Sequence, residues 1–287
     1  MTGAAPVVIL NPSARGERAA GLVDEVRALI GETERVVTGA PGEARERAAA
    51  AARAGASAVV AAGGDGTVHE VVGGIAGTGA ALGVLPLGTM NVFALEMGLP
   101  TDDLPRCWAI ASGGSERRID LPSANGSPFV QMAGIGFDAQ IVAQTTGEFK
   151  KQWGPMSYVF NAAQVAARQP PELAVRAGER SESGSFVLVG NGRYYGGPFE
   201  LFPQGRPDDG LLDVLIFSKL GYLDIVRYLQ AIVFGKHPEL DDVHYFQADR
   251  VTVTSGEVVP FETDGELAGS VPVEFGIEPG AVRVRVA

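Results

Sequence analysis

The apolar positions of the first 120 residues fall into short blocks separated by longer mixed stretches. Val7 to Leu10 is an unbroken apolar run closed by Asn11-Pro12, Ser57 to Ala62 forms a second block and Ala81 to Leu85 a third. Runs without polar alternation read as strands buried on both faces, as in parallel sheets. Arg35 to Val37 is a shorter candidate strand. Arg18 to Ile30 carries Leu22, Val26, Leu29 and Ile30 at helical spacing, and Gly42 to Ala54, Thr67 to Ile75 and Asn91 to Met97 are further predicted helices. Strands separated by helix-length segments imply right-handed crossovers and a three-layer α/β arrangement, with helices on both faces of a parallel sheet.

After Arg118 the pattern changes. Ile119 to Leu121, Phe129 to Ala133, Leu173 to Arg176, Phe186 to Asn191, Leu212 to Phe217, Arg250 to Thr254 and Val271 to Phe275 are short, β-branched or aromatic, and bounded by turn residues. Two predicted helices interrupt them, Lys151 to Arg168 and Tyr222 to Phe234. The expectation is an α/β domain over residues 1–120 and an antiparallel β-sandwich domain over 121–281. The last strand, Val282 to Val286, is open to pairing in either.

Composition narrows the function classes. A chain of 287 residues can bury a full core without disulfide or metal staples. Cys107, the single cysteine, excludes a disulfide framework and a multi-cysteine zinc site, and fits a reducing, cytoplasmic compartment. The 23 basic against 34 acidic residues give a net charge of −11, the wrong sign for a nucleic-acid partner. Val71 to Leu95 is uncharged over 25 residues, but six glycines and Pro86 break it, so no spanning helix is expected.

The sharpest chemical signal is Gly63-Gly64-Asp65-Gly66-Thr67, between a predicted strand and a predicted helix. Glycines permit left-handed backbone and close approach of another group, and a helix start offers N–H groups and partial positive charge to a phosphate. A carboxylate in that position suits a magnesium–nucleotide. The plainer alternative is a glycine turn with Asp65 capping the helix. Asn11-Pro12-Ser13-Ala14-Arg15-Gly16 and Pro86-Leu87-Gly88-Thr89-Met90-Asn91 follow two other strands, and ligands of open parallel sheets bind at such carboxyl ends. No GxxxxGK[ST], GxGxxG or GxSxG motif occurs, and His69-Glu70 lacks the second histidine of a zinc-protease motif.

These segments, with Gly134-Ile135-Gly136-Phe137-Asp138-Ala139 and Asp264-Gly265-Glu266, resemble in order the diacylglycerol kinase catalytic-domain family. That family includes bacterial soluble lipid kinases and sphingoid-base kinases and is distantly similar to NAD kinases and phosphofructokinases. Arg15 departs from the family's NPxxG loop, since the glycine comes one residue later, at Gly16.

The resemblance implies ATP as donor, Mg2+ as cofactor and a lipid alcohol such as diacylglycerol as acceptor. Matching positions make Glu266 the base for the acceptor hydroxyl, with Asp65 and Asp264 as acidic partners, although Thr263 to Glu266 also reads as a hairpin turn. They assign nucleotide binding to Asn11, Pro12, Ser13, Ala14, Arg15, Thr38, Gly64, Asp65, Gly66, Thr67, Val68, His69, Glu70 and Thr89. Asp138 is expected in the acidic network, or in an ordinary turn. The turn Arg206 to Asp213 matches one that holds a structural cation through Asp209 and the carbonyls of Arg206 and Leu211; an exposed β-turn is the other reading. Lys150 to Phe160 and the apolar segment Tyr222 to Phe234 suit transient contact with a membrane surface, or plain core packing. Self-association as a homodimer is left open. Rival functions are a kinase of NAD or a sugar phosphate, and a non-catalytic nucleotide or lipid sensor.

Overall fold

The computed structural model describes residues 5–12, 19–136, 139 and 170–287. The chain divides into two units. The first comprises Met1–Leu121, Gly196–Pro198 and Glu278–Ala287, and the second Pro122–Tyr195 and Phe199–Ile277.

In the first unit, β1 (Val7–Leu10), β2 (Arg35–Val37), β3 (Ala58–Gly63) and β4 (Ala81–Pro86) form a parallel sheet in the order β2-β1-β3-β4. Every residue of β1, β3 and β4 is buried, which is why these strands are continuous apolar runs in the sequence. The connecting helices are α1 (Ala19–Ile30), α2 (Glu43–Arg53), α3 (Asp65–Ile75), α4 (Val92–Glu96) and α5 (Leu104–Gly113). The backbones of α2 and α3 touch at Gly74, where a Cβ would stand 2.4 Å from the Arg45 carbonyl oxygen. Helix α5 was not expected, though its signals are present: Asp103 accepts the Arg106 N–H at 3.0 Å, and Pro105 sits in the first turn.

The second unit is a sandwich. One antiparallel sheet runs β14 (Val243–Ala248), β13 (Leu212–Phe217), β10 (Phe186–Gly190), β7 (Met132–Ile135), β16 (Pro260–Thr263), β17 (Glu266–Ser270). The other holds β9 (Arg180–Gly184), β8 (Leu173–Ala177), β15 (Arg250–Ser255) and the start of β18 (Val273–Val286). Val187, Val189, Val214 and Ile216 enter one core together with Val251, Val253 and Phe275. The alternate residues Leu188, Leu215 and Phe217 enter a second core with Tyr228 of α6 (Tyr222–Val233). Both faces of β13 are therefore covered, and Leu212 to Phe217 shows no alternation.

The sequence suggests two strands near the end, at Val271 to Phe275 and Val282 to Val286, but β18 is one strand of 14 residues. Its start pairs antiparallel with β15, and Arg283 and Val284 pair parallel with β4, so the last segment belongs to the first unit. At Pro279-Gly280 the strand is carried by β5 (Ser115–Ala124): Gly280 N–H donates to Asp120 Oδ1 at 2.7 Å and Arg118 donates to the Gly280 carbonyl at 3.0 Å. The predicted helix over Lys151 to Arg168 lies outside the described residues.

Candidate active site

The register of the first unit brings three loops to one edge of its sheet. Leu10 pairs with Ala62 and Gly63 with Pro86, so the chain leaves β1, β3 and β4 at the same level. Cross-links hold the loops there. Asn11 N–H donates to the Ala62 carbonyl (3.0 Å), Thr38 N–H to the Leu10 carbonyl (2.9 Å) and Leu87 N–H to the Gly63 carbonyl (2.8 Å). Buried Thr38 adds its hydroxyl to the Leu10 carbonyl at 3.4 Å. The Asn11 side-chain amide donates to the Thr67 hydroxyl at 3.2 Å, tying the first loop to the third residue of α3.

None of Gly63, Gly64 or Gly66 has a positive φ, so left-handed backbone is not why the glycines are there. Space is. A Cβ on Gly63 would lie 2.2 Å from Thr67 Oγ1, one on Gly64 3.3 Å from Gly88 Cα, and one on Gly88 2.6 Å from Gly64 Cα. The loops after β3 and β4 thus meet glycine to glycine. A Cβ on Gly66 would meet nothing within 4 Å, so that side of the turn is open.

Helix α3 starts at Asp65 with Gly64 as N-cap and no capping side chain. Thr67 and Val68 N–H return to the Gly64 carbonyl at 2.9 and 3.1 Å, and the first turn carries the positive end of the helix dipole. The other capping groups serve neighbouring helices. Asp65 Oδ1 accepts Phe93 N–H at 3.1 Å, so this carboxylate caps α4 rather than its own helix. Glu70 accepts the N–H groups of Gly42 (2.9 Å), Ala44 (3.0 Å) and Arg45 (3.4 Å) at the start of α2, placing its carboxylate on that helix. His69 Nε2 lies 3.4 Å from an Arg45 guanidinium nitrogen. Val68 is buried in the core, Pro12 is half-buried and Thr89 is exposed. Ser13, Ala14, Arg15, Asp138 and the Lys150 to Phe160 stretch lie outside the described residues.

Asn91 is a structural residue that the sequence reading did not single out. It sits at φ 50° and closes the loop, accepting Gly88 N–H at 2.8 Å and donating to the Gly88 carbonyl at 3.0 Å. Asparagine is one of the few side chains that tolerates this backbone region.

In the second unit the Asp264-Gly265 turn joins β16 to β17, as the hairpin reading expects. Asp264, at φ 50°, accepts three backbone N–H groups on β7 and its approach: Val130 at 2.7 Å, Gln131 at 2.9 Å and Met132 at 3.1 Å. Its own N–H donates to the Met132 carbonyl at 2.8 Å. Asp264 is thus a positioning group for the turn, and Glu266, two residues on, opens β17 with its side chain in solvent. Buried Glu262, also not singled out, accepts Gly265 N–H at 2.6 Å from the preceding strand.

At the Arg206 to Asp213 turn, Asp209 Oδ1 accepts Leu211 N–H at 3.0 Å and its Oδ2 accepts from the Gln247 amide at 3.4 Å. Gln247 also donates to buried Asp213 at 3.2 Å, and the Tyr245 hydroxyl donates to the same Asp213 oxygen. Burial, then Asp213, raises the Tyr245 phenol far above its usual range. Among the described residues no cluster of three or more His, Cys, Asp or Glu could hold a metal ion. A cation here would rest on Asp209 with carbonyl oxygens, a donor set that suits hard ions. The Arg206 guanidinium, 3.6 Å from Asp208, is a cation with no acceptor, so its carbonyl is the ligand this residue could give. Cys107 takes no part: it is fully buried in α5, and burial raises its thiol to about 11.

An α/β unit followed by a β-sandwich is also the order of the two family matches. Residues 5–124 match the diacylglycerol kinase catalytic domain, and residues 131–286 match the YegS C-terminal NAD kinase beta sandwich-like domain. The chain belongs to the diacylglycerol kinase family. It is 30% identical over 249 residues to a diacylglycerol kinase of Bacillus subtilis, covering 85% of this chain and 82% of that one. It is 34% identical over 278 residues to a protein of Pseudomonas aeruginosa named a probable lipid kinase, YegS-like, covering 92% and 90%. A diacylglycerol kinase crystal structure from Bacillus anthracis shares the fold, with a TM-score of 0.80 at 22% identity over 100% of this chain and 98% of that one. The protein is a kinase of the lipid kinase family, a phosphotransferase. Among the described residues no helix is long and apolar enough to cross a membrane.

Proposed function

We propose that this kinase transfers the γ-phosphoryl group of ATP to a hydroxyl of diacylglycerol or a related lipid alcohol. The observation that carries the nucleotide part is the start of α3. It has no capping side chain of its own, lies at a glycine-to-glycine junction and is open beside Gly66. Such a terminus accepts phosphate oxygens. Thr67 and Asn11 hold the turn, and Asp65, anchored on α4, sets its carboxylate at that edge. Magnesium, when bound, neutralises charge on the phosphates; Asp65 is the residue proposed to hold it. Glu266 takes the proton of the acceptor hydroxyl as the new O–P bond forms and ADP leaves, a role that requires a carboxylate free to meet substrate. The lipid acceptor is supported by the names of the relatives, and the turn at Asp209 is proposed as a structural cation site.

The test is transfer of label from γ-labelled ATP to extracted total lipid, run beside NAD and sugar phosphates as soluble acceptors. Label in lipid is expected, with Glu266→Gln lowering the rate by at least ~10² while leaving ATP binding intact. Label only in a soluble acceptor would overturn the lipid assignment, and wild-type rates in Glu266→Gln would move the base elsewhere.

A further inference from the structure

The outer side of α6 is apolar and in solvent. Tyr228 packs inward on the sandwich, and beside it Arg227 donates to Asp242 at 3.0 Å. The Tyr228 hydroxyl donates to the same carboxylate at 3.0 Å, and Arg227 keeps Asp242 ionised, below the ordinary carboxylate range. At 100° per residue the opposite arc carries Leu223 (79% exposed), Leu229 (56%), Val233 (62%) and Phe234 (74%), with Tyr222 and Val226. Gln230 is the one polar side chain on that arc, and it bears no charge. A helix of 12 residues makes this stripe about 18 Å long. Soluble surfaces rarely leave an apolar strip of this length, interrupted only by Gln230, without a partner.

We propose that this face of α6 docks on an anionic lipid surface. The proposal rests on the lipid-kinase reading for its purpose, but its argument is the charge at the two ends. Lys219 precedes the helix and Lys236 follows it, both exposed and each within three residues along the chain of an exposed aromatic, Tyr222 or Phe234. Lys219 reaches Asp242 only at 3.8 Å and keeps 64% of its side chain in solvent. Glu239 and Asp241 come later, beyond the turn at buried His237. A helix lying in the headgroup region has this layout, an apolar face below and long cationic side chains reaching out to lipid phosphates. A second copy of the chain fits the same stripe less well. Two-fold pairing of α6 with itself, parallel or antiparallel, sets lysine against lysine at both ends, whereas anionic headgroups satisfy both. The net charge of −11 keeps the rest of the protein off such a surface, so the contact is local and reversible.

The experiment is flotation of the full chain with vesicles of phosphatidylcholine, with and without phosphatidylglycerol, beside light scattering and phosphorylation of a dispersed short-chain diacylglycerol. Wild type floats with the mixed vesicles and less with phosphatidylcholine alone. L223D/F234D, at two positions already in water, loses vesicle binding by about tenfold or more and keeps activity on the dispersed lipid. K219Q/K236Q loses the preference for anionic vesicles. Unchanged flotation of L223D/F234D overturns the proposal. So does a wild-type dimer that this variant splits while still floating, which would assign the face to a second copy. Vesicle binding that depends on these residues in a protein that phosphorylates no lipid would leave the docking intact and refute the lipid-kinase reading alone.

Discussion

Replacing Asp264 by alanine removes the acceptor shared by Val130, Gln131 and Met132 N–H. A hydrogen bond to a charged group is worth about 1.5–3 kcal/mol net, and a buried donor left without a partner costs about 1–3 kcal/mol. Val130 and Met132 are buried, at 5% and 3% exposure, whereas water can reach Gln131. Two lost partners therefore dominate, and alanine adds roughly 1 kcal/mol because position 264 sits at φ 50°. The expected loss is about 3–7 kcal/mol, or roughly 5–12 °C in melting temperature for a chain of this size. Asparagine tolerates the backbone and keeps one oxygen, so Asp264→Asn should lose about half as much. Urea unfolding followed by circular dichroism gives the stability. Amide exchange of the 129–133 segment should accelerate in both variants even where the chain stays folded. Catalysis should fall in both, because the turn that presents Glu266 loosens. An Asp264→Ala protein within about 0.5 kcal/mol of wild type, with unchanged exchange at Val130 and Met132, would refute the anchoring argument.

Gly66→Ala should fold with wild-type stability, since its Cβ meets nothing within 4 Å, yet bind ATP several-fold more weakly by calorimetry. Gly88→Ala, whose Cβ would lie 2.6 Å from Gly64 Cα, should cost about 1–3 kcal/mol in chemical denaturation. Asp65→Asn should keep the oxygen that caps α4 and so nearly all stability while losing turnover; Asp65→Ala should lose about 1 kcal/mol as well. Burial lowers the pKa of His237, whose Nε2 donates to the Leu201 carbonyl at 2.7 Å, so the folded chain binds that proton less readily than the unfolded one. Stability should be complete above the unfolded value of about 6.5 and fall as pH drops towards the lowered folded value, by up to about 1.4 kcal/mol per pH unit. Urea midpoints against pH should show this acid limb, and His237→Gln should flatten it.

The parallel strands could be read in advance because burial on both faces leaves nothing polar in Val7 to Leu10 or Ala58 to Gly63. Strands with mixed faces could not. Arg180 to Gly184 is a polar edge strand and Val243 to Ala248 is half-buried after its buried first residue, so neither shows a clean period of two. At the candidate site, residue types pointed to loops that the structure brings to one sheet edge, but the partners of each carboxylate are not local. Asp65 reaches 28 residues ahead to Phe93, Glu70 reaches 28 back to Gly42, and Asp264 reaches 134 back to Val130. Nothing in the spacing of Glu70 announces that it caps α2. Glycine content misled in one respect: the turn at 63–67 needs small residues because Thr67 and Gly88 crowd it, not because its backbone is left-handed.

The late pairing of Arg283 and Val284 with β4 bears on how the protein is born. On the ribosome residues 1–121 of the first unit emerge first, yet the strand that closes the β4 side of its sheet is made only after the second unit has been synthesised. At about 5–20 residues per second, the 160-odd intervening residues leave that hydrophobic border uncovered for roughly ten seconds or more. Nascent chains of this protein should therefore lean on a chaperone during that wait, and removing the 282–286 segment should make the wait permanent.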